Sequence, residues 1–319
     1  MRAWLAVLIL SAALPWLPHS PDLYVSGFFS SSVQRYYGPR SAIRGPRPAR
    51  TQSGAFYAPR GFARRPWGLA FGPDGNLYVA NVFGGEGAIL RVRGPFNELS
   101  GLPEVFAGEG AFTDVVFGPD GHLYAGGHGP VRRYDIVTGA LIDDFTHGYD
   151  LVEVRGVAFG PDGDLYVSNY DSCVSGPSGC TGSKGEIVRF DGLTGAFIDV
   201  FVASGEGGLV WPYKIVFGHA GELFVANAAP NGNNVLRYPR GGWALPKRSH
   251  RTAVFATYPN FNPLYLAIGP DHNLYVSHAE SGDTGSILRF DAKSGALIDV
   301  FVPIVEGGPR GIAFAPGPW

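Results

Sequence analysis

Phe71-Gly72-Pro73-Asp74-Gly75-Asn76-Leu77-Tyr78-Val79 decides the fold, because the chain repeats it. The same succession of apolar strand end, tight turn and apolar strand returns from Phe117 through Leu123-Tyr124-Ala125 and from Phe159 through Leu165-Tyr166-Val167. Proline where a turn fixes φ, followed by glycine where φ turns positive, is hairpin chemistry. The flanking β-branched and aromatic residues read as strands. Followed outward, the second strand occurs six times, as Leu23-Tyr24-Val25, Leu77-Tyr78-Val79, Leu123-Tyr124-Ala125, Leu165-Tyr166-Val167, Leu223-Phe224-Val225 and Leu274-Tyr275-Val276, spaced 42 to 58 residues apart. Each copy runs on into two more strands, for example Ile287-Leu288-Arg289-Phe290 and Leu297-Ile298-Asp299-Val300-Phe301.

A four-stranded antiparallel unit cannot cover both of its apolar faces alone, so six of them must stack around an axis. The expected fold is all-β, a six-bladed β-propeller of four-stranded antiparallel blades. Its termini explain the closure. Arg310-Gly311-Ile312-Ala313-Phe314 is a first strand with no second strand after it, and Leu23-Tyr24-Val25 is a second strand with no first before it. Pairing the two completes one blade and removes the open sheet edges of an unclosed array.

Composition agrees. The 319 residues include 47 Gly and 26 Pro with a single Met, which suits many tight turns and little helix. The formal charge of -2 gives no reason to expect nucleic acid as a partner. Residues 1–20, with Arg2 ahead of the apolar run Ala3 to Leu14, read as a signal peptide too short to span a bilayer, and residues 21–319 as a single propeller domain. The product is expected to be secreted or periplasmic, with no transmembrane segment. Its only two cysteines, Cys173 and Cys180, lie in one Gly/Ser-rich loop and are expected to form a disulfide in that oxidising setting. Gly38 to Gln52, rich in arginine and proline, reads as a mobile insertion in the first blade.

The FGPDGNLYV and ILRFD motifs, with glycine-rich links into the next strand, resemble the NHL repeat over essentially all of Pro21 to Trp319. The resemblance extends in fold to gluconolactonase-type lactonases and to virginiamycin B lyase-type propellers. It is specific for fold and weak for function, since this architecture hosts binders, scaffolds and hydrolases. For a lactonase it implies a divalent cation, calcium or magnesium, at the channel mouth; the residues themselves call for no cofactor.

Comparing the six copies separates framework from site. Arg35, Arg91, Arg133, Arg189, Arg237 and Arg289 recur in every third strand and are expected to pair with carboxylates such as Asp143, Asp199 and Asp299. The turn aspartates are likewise framework. Positions that differ between blades are free for a ligand. In propellers resembling this one the first strand lines the channel, and its opening positions are Trp67, Thr113, Arg155, Tyr213, Leu264 and Arg310, with Asp114 and Lys214 next to them. The second strands leave at Gly27, Asn81, Gly127, Asn169, Asn227 and His278, with His128 close behind. The ligand set expected at one mouth is therefore Trp67, Asn81, Asp114, His128, Arg155, Asn169, Tyr213, Lys214, Asn227, His278 and Arg310. Arg155 and Arg310 face each other across the channel in this reading, holding an anion between the walls Trp67 and Tyr213. The function expected is a binding or interaction module for a small anionic or sugar-like ligand, a glycan or a partner protein. The alternatives are a metal-dependent lactonase or lyase, with Asp171, Glu280 and Asp283 as further ligands, and a structural component of an envelope or extracellular assembly.

Overall fold

A computed structural model describes residues 21–39, 65–82, 87–93, 103–108, 110–172, 175–176, 179–180, 183–228, 233–240, 253–280 and 283–316. The expected signal peptide and most of the Gly38–Gln52 insertion lie outside these residues, as does Cys173. Of Cys180 only the backbone is described, in a short ribbon that pairs Ser175 with Cys180.

The first blade forms from both ends of the chain. Pro309–Phe314 lies inside, Leu23–Gly27 beside it and Ser32–Tyr36 outside, with Leu23 opposite Phe314 and Val25 opposite Ile312. The other inner strands are Pro66–Phe71, Phe112–Phe117, Glu153–Phe159, Pro212–Phe217 and Pro263–Ile268, and each opens a four-stranded antiparallel sheet. Neighbouring inner strands touch in chain order, and Pro309–Phe314 touches both Pro66–Phe71 and Pro263–Ile268. The ring is thus closed by six blades, the first showing three strands among the described residues.

Strand periodicity places the core between blades. On the second strand of the first blade, Leu23 and Val25 pack toward Tyr275, Ile287 and Val302 of the sixth blade, and Tyr24 packs the other way onto Leu69, Leu77 and Val79 of the second. Burying each such side chain contributes about 1.5–3 kcal/mol. The turn aspartates hold the tyrosines of the following strand: the Tyr78, Tyr124, Tyr166 and Tyr275 hydroxyls donate to Asp74, Asp120, Asp162 and Asp271 over 2.7–3.0 Å. The third-strand arginines do pair outward, Arg133 with Asp143 and Arg189 with Asp199 at 2.6 Å, and Arg289 with Asp299.

Because Pro309–Phe314 supplies the inner strand of the first blade, removing residues 310–319 strips the contact with two neighbouring blades. The truncated protein should show no cooperative thermal transition, checked by circular dichroism and by calorimetry.

Candidate functional site at the channel mouth

Every inner strand breaks register at the same place. Pairing jumps between Pro66 and Leu69, Phe112 and Asp114, Val154 and Gly156, Pro212 and Ile215, and Pro263 and Tyr265; in the first blade it jumps between the partners Pro309 and Ile312. Trp67, Thr113, Arg155, Tyr213, Leu264 and Arg310 sit in these bulges, and a bulge re-aims a side chain while leaving backbone groups unpaired. Neighbouring blades satisfy those groups. Ser26 Oγ donates to the Trp67 carbonyl at 2.6 Å and accepts from the Gly311 N–H at 2.8 Å, and Ser168 Oγ donates to the Tyr213 carbonyl at 2.6 Å. Thr113 gives its hydroxyl to the Val154 carbonyl in the same way, and Leu264 is buried against Ala228 and Ala279.

The second-strand exits serve their own blades. Asn169 Oδ1 accepts from Val152 N–H at 2.9 Å, Asn227 Oδ1 from Val210 and Trp211 N–H at 3.0 and 3.1 Å, and His278 Nδ1 from Asn262 N–H at 3.1 Å. Each therefore latches the link that feeds the inner strand of its blade. Burial pushes the His278 pKa below its ordinary value, which keeps Nδ1 free to accept. Asn81 is buried with Oδ1 unpartnered among the described residues, whereas His128 is exposed and bridges to Glu153 through its backbone.

Arg310, Trp67, Tyr213 and Arg155 do gather at one mouth, in an order the sequence did not disclose. Trp67 and Tyr213 come from opposite blades and lie nearly parallel across the channel, ring centroids 6.4 Å apart at an interplanar angle of 5°. Arg310 stands against the Trp67 ring at 5.5 Å and Arg155 against the Tyr213 ring at 4.4 Å. The arginines consequently do not share an open space: two aromatic rings lie between them. Arg155 is also neutralised within its own strand, Nε and Nη2 donating to Glu153 at 3.0 and 3.1 Å, and Tyr170 covers it at 3.9 Å. The repulsion expected between the two charges is thus answered by protein groups. Arg310 differs. Its guanidinium lies among Phe28, Phe29 and Trp67, Nη1 donates to the Pro309 carbonyl at 3.2 Å, and Nε is buried without a partner among the described residues. Burial pushes its pKa down to about 10. Phe28, Phe29, Tyr170 and Glu153 were missed by reading the sequence; the Phe28-Phe29 pair directly after a second-strand exit was the available signal.

Asp114 and Lys214, expected to face a ligand, instead face each other in the middle of the bore. Asp114 is fully buried; Oδ1 accepts from Val115 N–H at 3.0 Å and the Tyr265 hydroxyl at 2.5 Å, and Oδ2 from Val157 N–H at 2.8 Å and Lys214 Nζ at 2.6 Å. Lys214 Nζ also reaches the Val157 carbonyl at 3.1 Å. Below this group the bore opens into an apolar well of about 420 Å³ lined by Leu69, Phe71, Val115, Phe117 and Val216, with Lys214 and Tyr265 at its boundary.

The sequence matches no protein-family model, and no curated protein matches it. Among solved structures the chain is similar to a gluconolactonase of Xanthomonas campestris, with 15% identity, 95% of this chain and 97% of that one covered and a TM-score of 0.61. It is also similar to the PQQ-bound aldose sugar dehydrogenase of Streptomyces coelicolor, with 21% identity, 79% and 85% covered and a TM-score of 0.50.

A divalent cation does not fit the middle of this bore. Both Asp114 oxygens are already filled, and an ammonium stands 2.6 Å from one of them. Among the described residues no three His, Cys, Asp or Glu side chains are grouped to hold a metal; His278 and Glu280 approach only to 4.0 Å. If Asp114 serves the ring, Asp114→Asn, which leaves the Lys214 charge uncompensated, should lower stability by about 3–5 kcal/mol in urea unfolding. The double variant Asp114→Asn/Lys214→Met should recover much of that loss, because it removes the unpaired charge while the amide keeps an acceptor for the remaining donors. At these identities the likeness to the sugar enzymes is one of fold: the chain is a six-bladed β-propeller of their architecture.

Proposed function

We propose that this chain is an exported binding propeller that holds a small anionic, sugar-like molecule at the upper channel mouth. Arg310 is the anchor, and Trp67, Phe28 and Phe29 form its apolar platform. The observation that carries this reading is the state of Arg310: among the described residues, a desolvated guanidinium with one hydrogen bond and a buried Nε that has no partner. A buried charge is stable only when paired, and a guanidinium fork suits a planar carboxylate. Arg155, already paired with Glu153, contributes to the frame of the mouth. Export rests on the charged and apolar pattern of residues 1–20; no helix among the described residues is long and apolar enough to cross a membrane.

Isothermal titration with gluconate and glucuronate tests the site. Arg310→Gln should weaken binding by roughly 1.5–3 kcal/mol, with melting unchanged, and Arg155→Gln should weaken it less. Absence of saturable binding, or equal binding by the Arg310 variant, would sink the proposal.

A second reading draws on the superposition with the gluconolactonase over nearly the whole of both chains. Under it the chain hydrolyses a sugar lactone with the help of a calcium or magnesium ion; the loop carboxylates Asp171, Glu280 and Asp283, expected from the sequence as its ligands, are not grouped to hold one among the described residues. Gluconolactone hydrolysis that a chelator abolishes and calcium restores would establish this reading. Anion binding without turnover would leave the binding module standing.

A further inference from the structure

Five of the six third-strand arginines hold a carboxylate. Arg35 Nε donates to Asp22 at 2.7 Å, Arg91 Nε to Glu104 at 2.5 Å, and Arg133 and Arg189 grip Asp143 and Asp199 with Nε and Nη2 together. Arg289 grips Asp299 in the same bidentate way. Turn aspartates come near as well, Asp120 to Arg133 at 3.7 Å, Asp162 to Arg189 at 3.9 Å and Asp271 to Arg289 at 3.1 Å.

The fifth blade has lost both kinds of partner. Its outer strand pairs in the register of the second blade, Val235 with Ala256 and Leu236 with Val254 as Ile89 pairs with Ala107 and Leu90 with Val105. Ala253 therefore occupies the sequence position of Glu104. In the turn Gly218-His219-Ala220-Gly221, Ala220 replaces the aspartate, and Phe224 replaces the tyrosine that would have bound it. Glu222 folds its carboxylate over Gly218, where the other turns keep their aspartate, and its Oε2 is buried without a hydrogen-bond partner among the described residues. Among the described residues Arg237 is left with the Lys293 carbonyl at 2.8 Å and the face of Phe255 at 4.6 Å, and it is exposed where the other five arginines are half-buried. It borders an open notch of about 610 Å³, also lined by Arg240, Lys293, Phe255 and Glu222. Three cations face one carboxylate there.

We propose that this notch between the fifth and sixth blades binds a small polycarboxylate. One carboxylate takes the Nε and Nη2 fork of Arg237, the position that an aspartate fills in the sister blades, and a second faces Arg240 and Lys293. The sister blades supply the geometric template: the same guanidinium, on the same strand and over an equivalent phenylalanine, donates to a carboxylate bidentately. The site is on the outer edge of the ring and independent of Arg310.

Isothermal titration with citrate, with inorganic phosphate as the comparison anion, tests it on the full exported chain. Wild-type protein should bind citrate saturably and tighter than phosphate. Arg237→Gln should weaken citrate at least tenfold. Ala220→Asp, which restores the turn carboxylate that stands near Nη1 in the sister blades, should weaken it with the melting temperature unchanged or raised, because the added negative charge beside Arg237 offsets its attraction for the anion. Absence of citrate binding, phosphate binding as tight as citrate, or full binding by both Arg237→Gln and Ala220→Asp would overturn the proposal.

Discussion

The buried carboxylate of Asp114 is the constraint around which the ring is arranged. It lies on the third blade and receives hydrogen bonds from Val157 of the fourth, Lys214 of the fifth and Tyr265 of the sixth. A charge at this depth costs several kcal/mol to desolvate, so four donors, one of them the Lys214 counter-ion, are what make it tolerable. The requirement propagates outward. A Cβ at Gly68 would come within 2.8 Å of the Asp114 Cα, and one at Gly156 within 2.9 Å of the Lys214 Cα. Glycine must therefore follow Trp67 and Arg155, and these close approaches bring the bulges together so that their side chains meet at the mouth.

Repetition and departure from it have different physical meanings in this chain. The Tyr–Asp–Arg sets at the lower face recur because each solves the same problem, a tyrosine hydroxyl and a guanidinium at the margin of a sheet interface that both need a carboxylate. Burial and a hydrogen bond to Asp120 push the Tyr124 phenol above its ordinary range, as burial and Asp162 do for Tyr166, so these phenols stay protonated donors. Where the set is incomplete, as around Arg237, the remaining charge faces solvent. Where the inner positions differ, as at Trp67, Arg155, Tyr213 and Arg310, the framework is undisturbed because their bulges are held by backbone contacts to Ser26 and Ser168.

The fold was legible because it is periodic: six LYV-type strands, the turn chemistry and the split first blade all follow from the residues. The framework role of Arg133, Arg189 and Arg289 was legible for the same reason. The site was legible only in part. Position along the strand identified which side chains leave the bulges, but no local signal says that Asp114 bonds Lys214, 100 residues away. Nor does the sequence show that Asn169 and Asn227 turn back on their own links. The pairing of Arg155 with Glu153 was within reach, since the two are separated by one residue on a strand and so share a face.

Two aromatic rings across the bore set the character of its upper end. With centroids 6.4 Å apart, Trp67 and Tyr213 span the channel above the Asp114–Lys214 pair. A molecule arriving from that side meets aromatic surface and the Arg310 guanidinium at the rim, and the polar interior beneath has no vacant acceptor on Asp114 to draw it deeper. The well on the opposite side offers Leu69, Phe71 and Val216, an apolar surface with Lys214 at its boundary. The two ends of one channel thus present different chemistry, and the ion pair between them is the reason: it fills the bore with a neutralised charge and leaves the Arg310 guanidinium at the rim.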